Sequence, residues 1–296
     1  MPRAARSRSA IAAALALSAL LLGGCAAGPG AASTPVRPVP SAPAAAAAIP
    51  SVASMSPSTG SVSGGDTVTL TGASLGTVSA VEFGGEAASE VTVVDENTVT
   101  AVVPHAAEYQ AGSVDVSVRI GEEAVTPKDA LDFDYAVVSP VDKQLQYAFD
   151  HWDDYNIAAW GDYNPLGGDC ANFVSQTLVA RGWQQTPTWH NNGGRATSAW
   201  SYVPAMDNWL KSNPEVTRLS DDQRSDVKVG DIAIFDWTGT GRRDHVMIVS
   251  DVVPAADGSV DIKLIGHNID YDYRDLDETL TEEHPGGQVW FYSVPA

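Results

Sequence analysis

Two kinds of hydrophobic pattern follow each other along the chain. Over residues 51–136, hydrophobic and polar residues alternate in short runs, as in residues 67–71, 91–94, 98–102 and 114–118. Turn-forming Gly, Asp and Asn residues separate these runs. Short alternating strands at this spacing predict an all-β, immunoglobulin-like sandwich.

The second half of the chain mixes helical and strand periodicity. Hydrophobic residues recur at helical spacing in residues 142–159, 170–181 and 199–210. Alternating or continuous hydrophobic runs follow in residues 231–236, 245–252, 260–266 and 288–294. Helices followed by an antiparallel sheet predict an α+β domain over residues 137–296, so the fold class is multidomain.

The N-terminus has the features of an export signal. Arg3, Arg6 and Arg8 precede an apolar run over residues 11–22, which is too short for a confident membrane span. The run ends in Leu22-Gly23-Gly24-Cys25, which resembles the bacterial lipobox. The resemblance implies a signal peptide over residues 1–24 and lipidation of Cys25. An ordinary signal peptide with an incidental cysteine is the alternative.

The next segment, residues 25–50, consists almost entirely of Ala, Pro, Ser, Gly and Val. This composition cannot bury a core and predicts a tether. The whole chain carries a net charge of −20, which argues against nucleic acid and anionic lipid surfaces as partners. Hydrophobic residues make up 44% of the chain and charged residues 18%, which is enough for packed domains.

Cys170 is the candidate nucleophile. The chain has 2 cysteines, and lipidation of Cys25 would leave Cys170 as a lone thiol in an exported protein. Cys170 begins a predicted helix after the Gly-rich turn 165–168, where free backbone N–H groups and the helix dipole favour a thiolate. We therefore expect a thiol pKa below that of a free cysteine.

Two histidines at strand ends are candidates for the remaining catalytic groups. A cysteine nucleophile needs a base, and the base needs an orienting group. His245 opens one strand and His267 ends the next, so a hairpin would place them side by side. The alternative is that both histidines merely cap strand ends.

Several motifs of residues 51–136 resemble the IPT/TIG immunoglobulin-like domain. They are Pro57-Ser58-Thr59-Gly60, Gly64-Gly65, Val81-Glu82-Phe83-Gly84-Gly85, Val103-Pro104 and Phe133-Asp134-Tyr135. The resemblance implies a spacer or binding module without chemistry of its own. His105, in a predicted loop, is read as ordinary surface.

The second half resembles the Putative amidase domain family. The similar segments are Asp162-Tyr163-Asn164-Pro165, Asp169-Cys170-Ala171-Asn172-Phe173-Val174-Ser175-Gln176, Gly230-Asp231, Asp244-His245-Val246-Met247-Ile248-Val249 and Gly266-His267-Asn268. This family is similar to the papain-like CHAP and NlpC-type cysteine peptidases of bacterial cell walls. The resemblance implies Cys170 as nucleophile, His245 as base and His267 as orienting residue, with Asn268 as the fallback for that third role.

Other residues near the motif are candidates for supporting roles. Asp169 is expected to cap the helix, with the Cys170 N–H contributing to an oxyanion hole. Tyr163, Trp189 and His190 are candidates for a substrate groove. The acidic run over residues 270–278 fits no EF-hand loop and is read as a solvated loop. No zinc set is apparent, and neither a metal nor a cofactor is predicted.

The sequence thus predicts a lipid-anchored thiol hydrolase on the outer face of the cell membrane. It would cleave an amide or peptide bond, with peptidoglycan as the expected substrate, as an amidase or an endopeptidase. The alternative is a non-catalytic wall-binding or adhesion lipoprotein with a degenerate hydrolase fold. A free thiol in an oxidising compartment favours the enzyme.

Overall fold

The structure is a computed structural model that describes residues 49–255 and 257–295. The predicted signal peptide, Cys25 and most of the predicted tether lie outside the described residues. The described part forms one compact unit with two modules. Among the described residues, no helix is long and apolar enough to cross a membrane.

The N-terminal module is a β-sandwich. Its strands are β1 (Ser51–Ser56), β2 (Thr59–Ser61), β3 (Thr67–Ala73), β4 (Ala80–Phe83), β5 (Glu86–Ala87), β6 (Glu90–Asp95), β7 (Thr98–Val102), β8 (Gly112–Ile120), β9 (Glu123–Ala124), β10 (Thr126–Pro127) and β11 (Asp132–Ala136). One sheet has the order β10-β1-β3-β7-β6 and the other β2-β11-β8-β4-β5, with β9 beside β8. Alternate residues point inward, and Phe83 meets Phe133 edge to face at 5.4 Å. The predicted sandwich is confirmed.

The C-terminal module packs most of its helices against one face of an antiparallel sheet, and a short helix contributes Leu276 to the core on the other face. Its helices are α1 (Pro140–His151), α2 (Ile157–Trp160), α3 (Cys170–Arg181), α4 (Ser198–Ser201), α5 (Val203–Ser212) and α6 (Leu276–Glu278). Its strands are β12 (Thr217–Ser220), β13 (Ile232–Asp236), β14 (His245–Pro254), β15 (Val260–Gly266), β16 (Tyr271–Asp275) and β17 (Gln288–Ser293). The sheet order is β12-β17-β13-β14-β15-β16, which confirms the α+β prediction.

Helix α3 is the centre of this module. It packs between α1 and strand β14, and nine consecutive residues from Cys170 to Leu178 are buried. Its buried polar side chains are satisfied: Ser175 accepts a hydrogen bond from Trp189 Nε1 at 3.0 Å, and Asn172 Oδ1 accepts one from Trp200 Nε1 at 2.7 Å. These bonds fix the helix that carries Cys170.

The helix boundaries differ from the prediction in two places. The predicted helix over residues 142–159 ends at His151, and a separate short helix follows. The predicted helix over residues 199–210 is broken at Tyr202, which has an extended backbone; Pro204, in the first turn of the second segment, has no N–H to bond back to the Trp200 carbonyl.

The acidic run was expected to be a solvated loop, and this expectation is wrong, because residues 271–275 form a strand and residues 276–278 a short helix. Tyr271–Asp275 pairs with β15 as edge strand β16, and Lys263 forms an ion pair with Asp275 at 2.6 Å.

The two modules share a polar and aromatic interface. The fully buried carboxylate of Asp142, in α1, accepts hydrogen bonds at 2.6 Å from the hydroxyls of Ser61 and Ser63 in the sandwich. Tyr109 of the sandwich donates to the carbonyl of Ser250 in β14. The sandwich therefore contacts both α1 and β14, two elements that surround α3.

His105 belongs to this interface, so its reading as ordinary surface is wrong. Its ring stacks on Tyr109 with centroids 4.8 Å apart, and its Nε2 lies 3.8 Å from the carboxylate of Asp251. Burial of the ring lowers its pKa. The Asp251 side chain and the Ala106 carbonyl together raise the pKa by more than burial lowers it, so the net pKa is raised.

Candidate active site

Cys170 lies at the first turn of α3 on the floor of a cleft. Gly167 and Gly168 adopt φ values of 117° and 141°, which L side chains rarely adopt, and they turn the chain into the helix. Cys170 is only 7% exposed. It is the free cysteine of the described residues.

The thiol of Cys170 has a raised pKa, contrary to the expectation from its helical position. Burial raises this pKa from 9.0 to about 11, and a backbone hydrogen bond from Val246 only partly offsets the effect. The helix N-terminus does not overcome desolvation. The resting sulfur is therefore a protonated thiol at neutral pH.

The backbone N–H groups at the start of α3 are already occupied. The side-chain oxygen of Asn268 accepts hydrogen bonds from the N–H of Asp169 at 2.6 Å and of Cys170 at 2.8 Å. The amide group of Asn268 donates in turn to Asn164 Oδ1 at 2.5 Å. A carboxamide oxygen thus sits where the oxyanion was expected to bind, and it caps the helix from a residue distant in sequence.

Asp169 occupies the N-cap position, but its side chain does not cap the helix. Its Oδ1 accepts hydrogen bonds at 3.0 Å from the Tyr163 backbone N–H and from the Asn172 side chain. Its Oδ2 lies 2.7 Å from Nδ1 of His267. The expected capping bond is replaced by these contacts because the carboxylate points away from the helix amides and into the protein.

His267 orients Asp169 in this structure and does not contact His245. Its Nε2 lies 2.8 Å from the carbonyl oxygen of His151, and its ring is sandwiched between Tyr155 and Phe173, with centroids at 3.5 and 4.1 Å. The Asp169 carboxylate and the His151 carbonyl are the neighbours of the two ring nitrogens. Both ring nitrogens therefore face oxygen acceptors, and the side chains of His267 and Asp169 are each 1% exposed.

The backbone of His245 lies close to Cys170 in space, because the next residue, Val246, hydrogen-bonds the thiol. The His245 side chain, however, faces the other side of the sheet. Val246 and Ile248 share a core cluster with Cys170, whereas Met247 belongs to the cluster on the opposite face. Because strand side chains alternate, the His245 ring points to that opposite face, where it stacks on Trp237 with centroids 5.4 Å apart. No hydrogen bond joins it to the thiol among the described residues.

The buried ring of His245 is also unpaired. Its Nε2 has no hydrogen-bond partner among the described residues. Burial, followed by the positive charge of Arg274 and the neighbouring His284, lowers its pKa to about 3. In the resting arrangement this imidazole is neutral.

The cleft above Cys170 has a volume of about 200 Å³ and is formed by two loops and the junction between α4 and α5. Its walls are Leu166, Gly167, Gly168, Ser201, Tyr202, Val203, Pro204, Arg242, Arg243 and Asp244. Arg243 is held in place because its guanidinium stacks 3.6 Å above the ring of Trp290. The cleft combines a thiol floor with a rim on which each arginine is paired with a carboxylate: Arg242 lies 3.5 Å from Asp244, and Arg243 lies 3.6 Å from Asp207.

The predicted groove residues do not line this cleft. Trp189 is fully buried and stacks on Trp209, so its assignment to a groove is wrong. Tyr163 is 7% exposed and packs below the surface. His190 is half-buried, with its Nδ1 3.0 Å from the carbonyl of Thr186. The sequence around Trp189 is polar and predicts an exposed loop, but the Trp189 ring is buried because three further tryptophans surround it.

Sequence reasoning missed several residues that contact the site. Tyr155, the His151 carbonyl and Trp237 had no signal, because their roles arise from loop packing and backbone position. Asn164 lies within a motif that the sequence analysis noted, which could have marked it. No group of three or more His, Cys, Asp or Glu side chains is arranged for a metal ion within the described ranges.

Comparison with known proteins places this arrangement in a class. The site lies in a domain that matches the Putative amidase domain over residues 141–292, just over half of the chain, and the sandwich matches the IPT/TIG domain over residues 50–135. The chain therefore combines a Putative amidase domain with an IPT/TIG domain. The chain belongs to the Putative amidase domain family.

More distant likeness is weak. No curated protein matches the chain. Among solved structures, the plexin A4 extracellular region is 23% identical over 29% of this chain, with a TM-score of 0.25. The Bacteroides ovatus glucan-utilization protein SGBP-B is 10% identical over 82%, with a TM-score of 0.25. A "Putative phosphatase" from Bacteroides thetaiotaomicron is 14% identical over 77%, with a TM-score of 0.23. The chain spans only 8% of the plexin and 50% of each Bacteroides protein.

Proposed function

We propose that this protein is a cysteine-dependent amide hydrolase with a papain-like site, acting on peptide or peptidoglycan amide bonds. The observation that carries the proposal is the position of Cys170, a thiol at the start of a buried helix and on the floor of a cleft. Its family membership supplies the reaction class.

In the proposed reaction, Cys170 Sγ attacks the substrate carbonyl and passes its proton to a base. The base then protonates the leaving amine as the C–N bond breaks, and water hydrolyses the thioester to release the acid and regenerate the thiol. The substrate carbonyl oxygen would take the place of the Asn268 side-chain oxygen on the Cys170 N–H.

We assign the base to His245 after a change of its side-chain conformation. The thiol is hydrogen-bonded by the N–H of Val246, the residue after His245, so the backbone of His245 lies near the thiol although its ring is on the other face of the sheet. The unpaired Nε2 costs about 1–3 kcal/mol while it stays buried, which favours movement to a partner. His267 is less suited to accept a proton, because both of its nitrogens already contact acceptors.

Product mapping tests this proposal. Purified protein is incubated with soluble peptidoglycan fragments, and the products are identified by mass spectrometry. We expect Cys170→Ala to abolish cleavage and His245→Gln to reduce it by at least about a hundredfold, while Cys25→Ser leaves it unchanged. Cleavage by Cys170→Ala at the wild-type rate would contradict the proposal.

A non-catalytic binding lipoprotein is the second candidate. The occupied N–H groups and the His245 ring on the opposite sheet face favour it, since neither is arranged for attack at rest. Specific retention on peptidoglycan without any cleavage, by protein with a native melting curve, would support it over the enzyme.

We further propose that Cys25 is acylated and holds the protein at the outer face of the cell membrane. The lipobox-like segment supports this location. Cys25→Ser should move the protein from the membrane fraction to the soluble fraction, and retention at the wild-type level would refute the anchor.

A further inference from the structure

A second concave site lies at the far end of α3 from Cys170. It is formed by Gly182, Trp183, Gln184, Thr186, Trp209, Asn213 and Glu215. Its volume of about 320 Å³ is within the range of small-molecule sites. Because α3 has 12 residues, the two sites are separated by roughly 18 Å along the helix axis. The site is therefore distinct from the thiol cleft.

Two half-buried indoles form the walls of this depression. Trp183 and Trp209 meet edge to face, with centroids 5.7 Å apart and planes at 67°. Beneath them, the fully buried Trp189 stacks on Trp209 at 4.7 Å and 11°. The stacked ring below holds Trp209 in a fixed orientation, so little side-chain freedom is lost when a ligand binds.

The indole nitrogens distinguish the walls from the packing beneath them. Trp189 and Trp200 each donate from Nε1 to a buried side chain. The Nε1 atoms of Trp183 and Trp209 donate no hydrogen bond to any described residue. Neither atom is buried, so both can reach a ligand or solvent. These two N–H groups remain available to a ligand.

Polar groups with spare hydrogen-bonding capacity complete the depression. Asn213 uses its Oδ1 to accept from the Glu215 N–H at 3.0 Å, which leaves its amide N–H₂ free. Gln184 donates to the Gly182 carbonyl at 3.1 Å, which leaves its carbonyl oxygen free. The exposed carboxylate of Glu215 forms no ion pair with any described residue. The site offers both donors and acceptors.

We propose that this depression, defined by Trp183, Trp209, Asn213 and Glu215, binds a neutral saccharide. Flat aromatic faces pack against the C–H faces of a sugar ring, and free amide and carboxylate groups match its hydroxyls. No Lys, Arg or His lines the depression, and Glu215 would repel an anionic ligand. The site does not depend on the thiol or on hydrolysis.

Calorimetry on the full chain tests the proposal. Chitotetraose and cellotetraose are the saccharide probes, and choline is the rival probe, since two indoles and a carboxylate also suit a quaternary ammonium. We expect saturable binding of at least one tetrasaccharide. Trp183→Ala and Trp209→Ala should weaken it about tenfold or more, as for other aromatic anchors.

Matched controls keep the test decisive if a tryptophan variant unfolds. Glu215→Gln changes an exposed side chain and should alter saccharide affinity several-fold, whereas Glu122→Gln, on an exposed turn of the sandwich, should not. Cys170→Ala should bind like wild type, which separates this site from hydrolysis. Binding of choline alone, no binding of either saccharide by natively folded protein, or saccharide binding that Trp183→Ala and Glu215→Gln leave unchanged would overturn the proposal.

Discussion

The reactivity of Cys170 depends on whether the resting site holds a thiol or a thiolate. Burial raises the thiol pKa from 9.0 to about 11. At pH 8, a thiol with the ordinary pKa is about one tenth thiolate, whereas one with a pKa near 11 is about one thousandth thiolate. Since the thiolate is the nucleophile, alkylation of folded protein should be about a hundredfold slower than that of an unburied cysteine at this pH.

The assay follows iodoacetamide alkylation by intact mass from about pH 6 to about pH 11. A Cys25→Ser background leaves Cys170 as the only thiol. The rate should rise about tenfold per pH unit over most of this range. His245→Ala should leave the profile unchanged, because the imidazole is neutral and lies on the opposite face of the sheet.

The same chain unfolded in urea provides the control, since its thiol should titrate near the ordinary value. A folded-state plateau reached below about pH 8.5 would refute the reasoning. So would a slower rate in His245→Ala. Either result would mean that a thiolate–imidazolium pair already exists at rest.

Three further predictions concern the surroundings of the site. Asn268→Ala removes the acceptor of two helix N–H groups and should cost about 1 kcal/mol of unfolding free energy. Asn268→Asp keeps an acceptor oxygen and should cost less. Equal melting curves for wild type and Asn268→Ala would contradict this prediction. Asp169→Ala removes a buried carboxylate that contacts three groups (the Tyr163 N–H, the Asn172 side chain and His267 Nδ1) and should cost about 3–5 kcal/mol in urea unfolding. Exposed Asp153→Ala should cost almost nothing, and similar losses in both variants would contradict the structural role of Asp169. The folded-state pKa of His105 is raised, so its interaction with Asp251 stabilises the fold fully below the ordinary pKa of 6.5 and is lost as pH rises through the raised pKa. The difference in unfolding free energy between wild type and His105→Gln should therefore shrink from acid to alkaline pH. A difference that stays constant with pH would refute this prediction.

Much of the fold could be predicted from the sequence, because its signals are local. Alternation with turn residues indicated the sandwich, and Gly182 marked the end of α3, where it adopts a φ of 113°. The single helix predicted over residues 199–210 is divided into α4 and α5, because Pro204 lacks the N–H that a continuous helix would need there.

The surroundings of Cys170 could be predicted only in part. The motif around Cys170 indicated a helix start, and the structure has one there. The thiol environment could not be predicted, because it depends on the Asn268 side chain, which arrives from a turn almost a hundred residues later and occupies the N–H groups. The contact of His267 with Asp169 also depends on tertiary packing and has no local signature.

The sequence could not predict whether the side chain of His245 faces Cys170. A strand with one solvated face shows which of its residues point to the core, but β14 is buried on both faces over its first six residues. Hydrophobic residues at Val246, Met247 and Ile248 therefore leave the face covered by α3 undetermined. Helix α3 packs on the face of the sheet that carries Val246. This packing, and no local sequence signal, puts the His245 side chain on the opposite face. A base beside the thiol requires the first residue of β14 to change conformation, and its position at the strand end makes that change more accessible there than in the middle of the sheet.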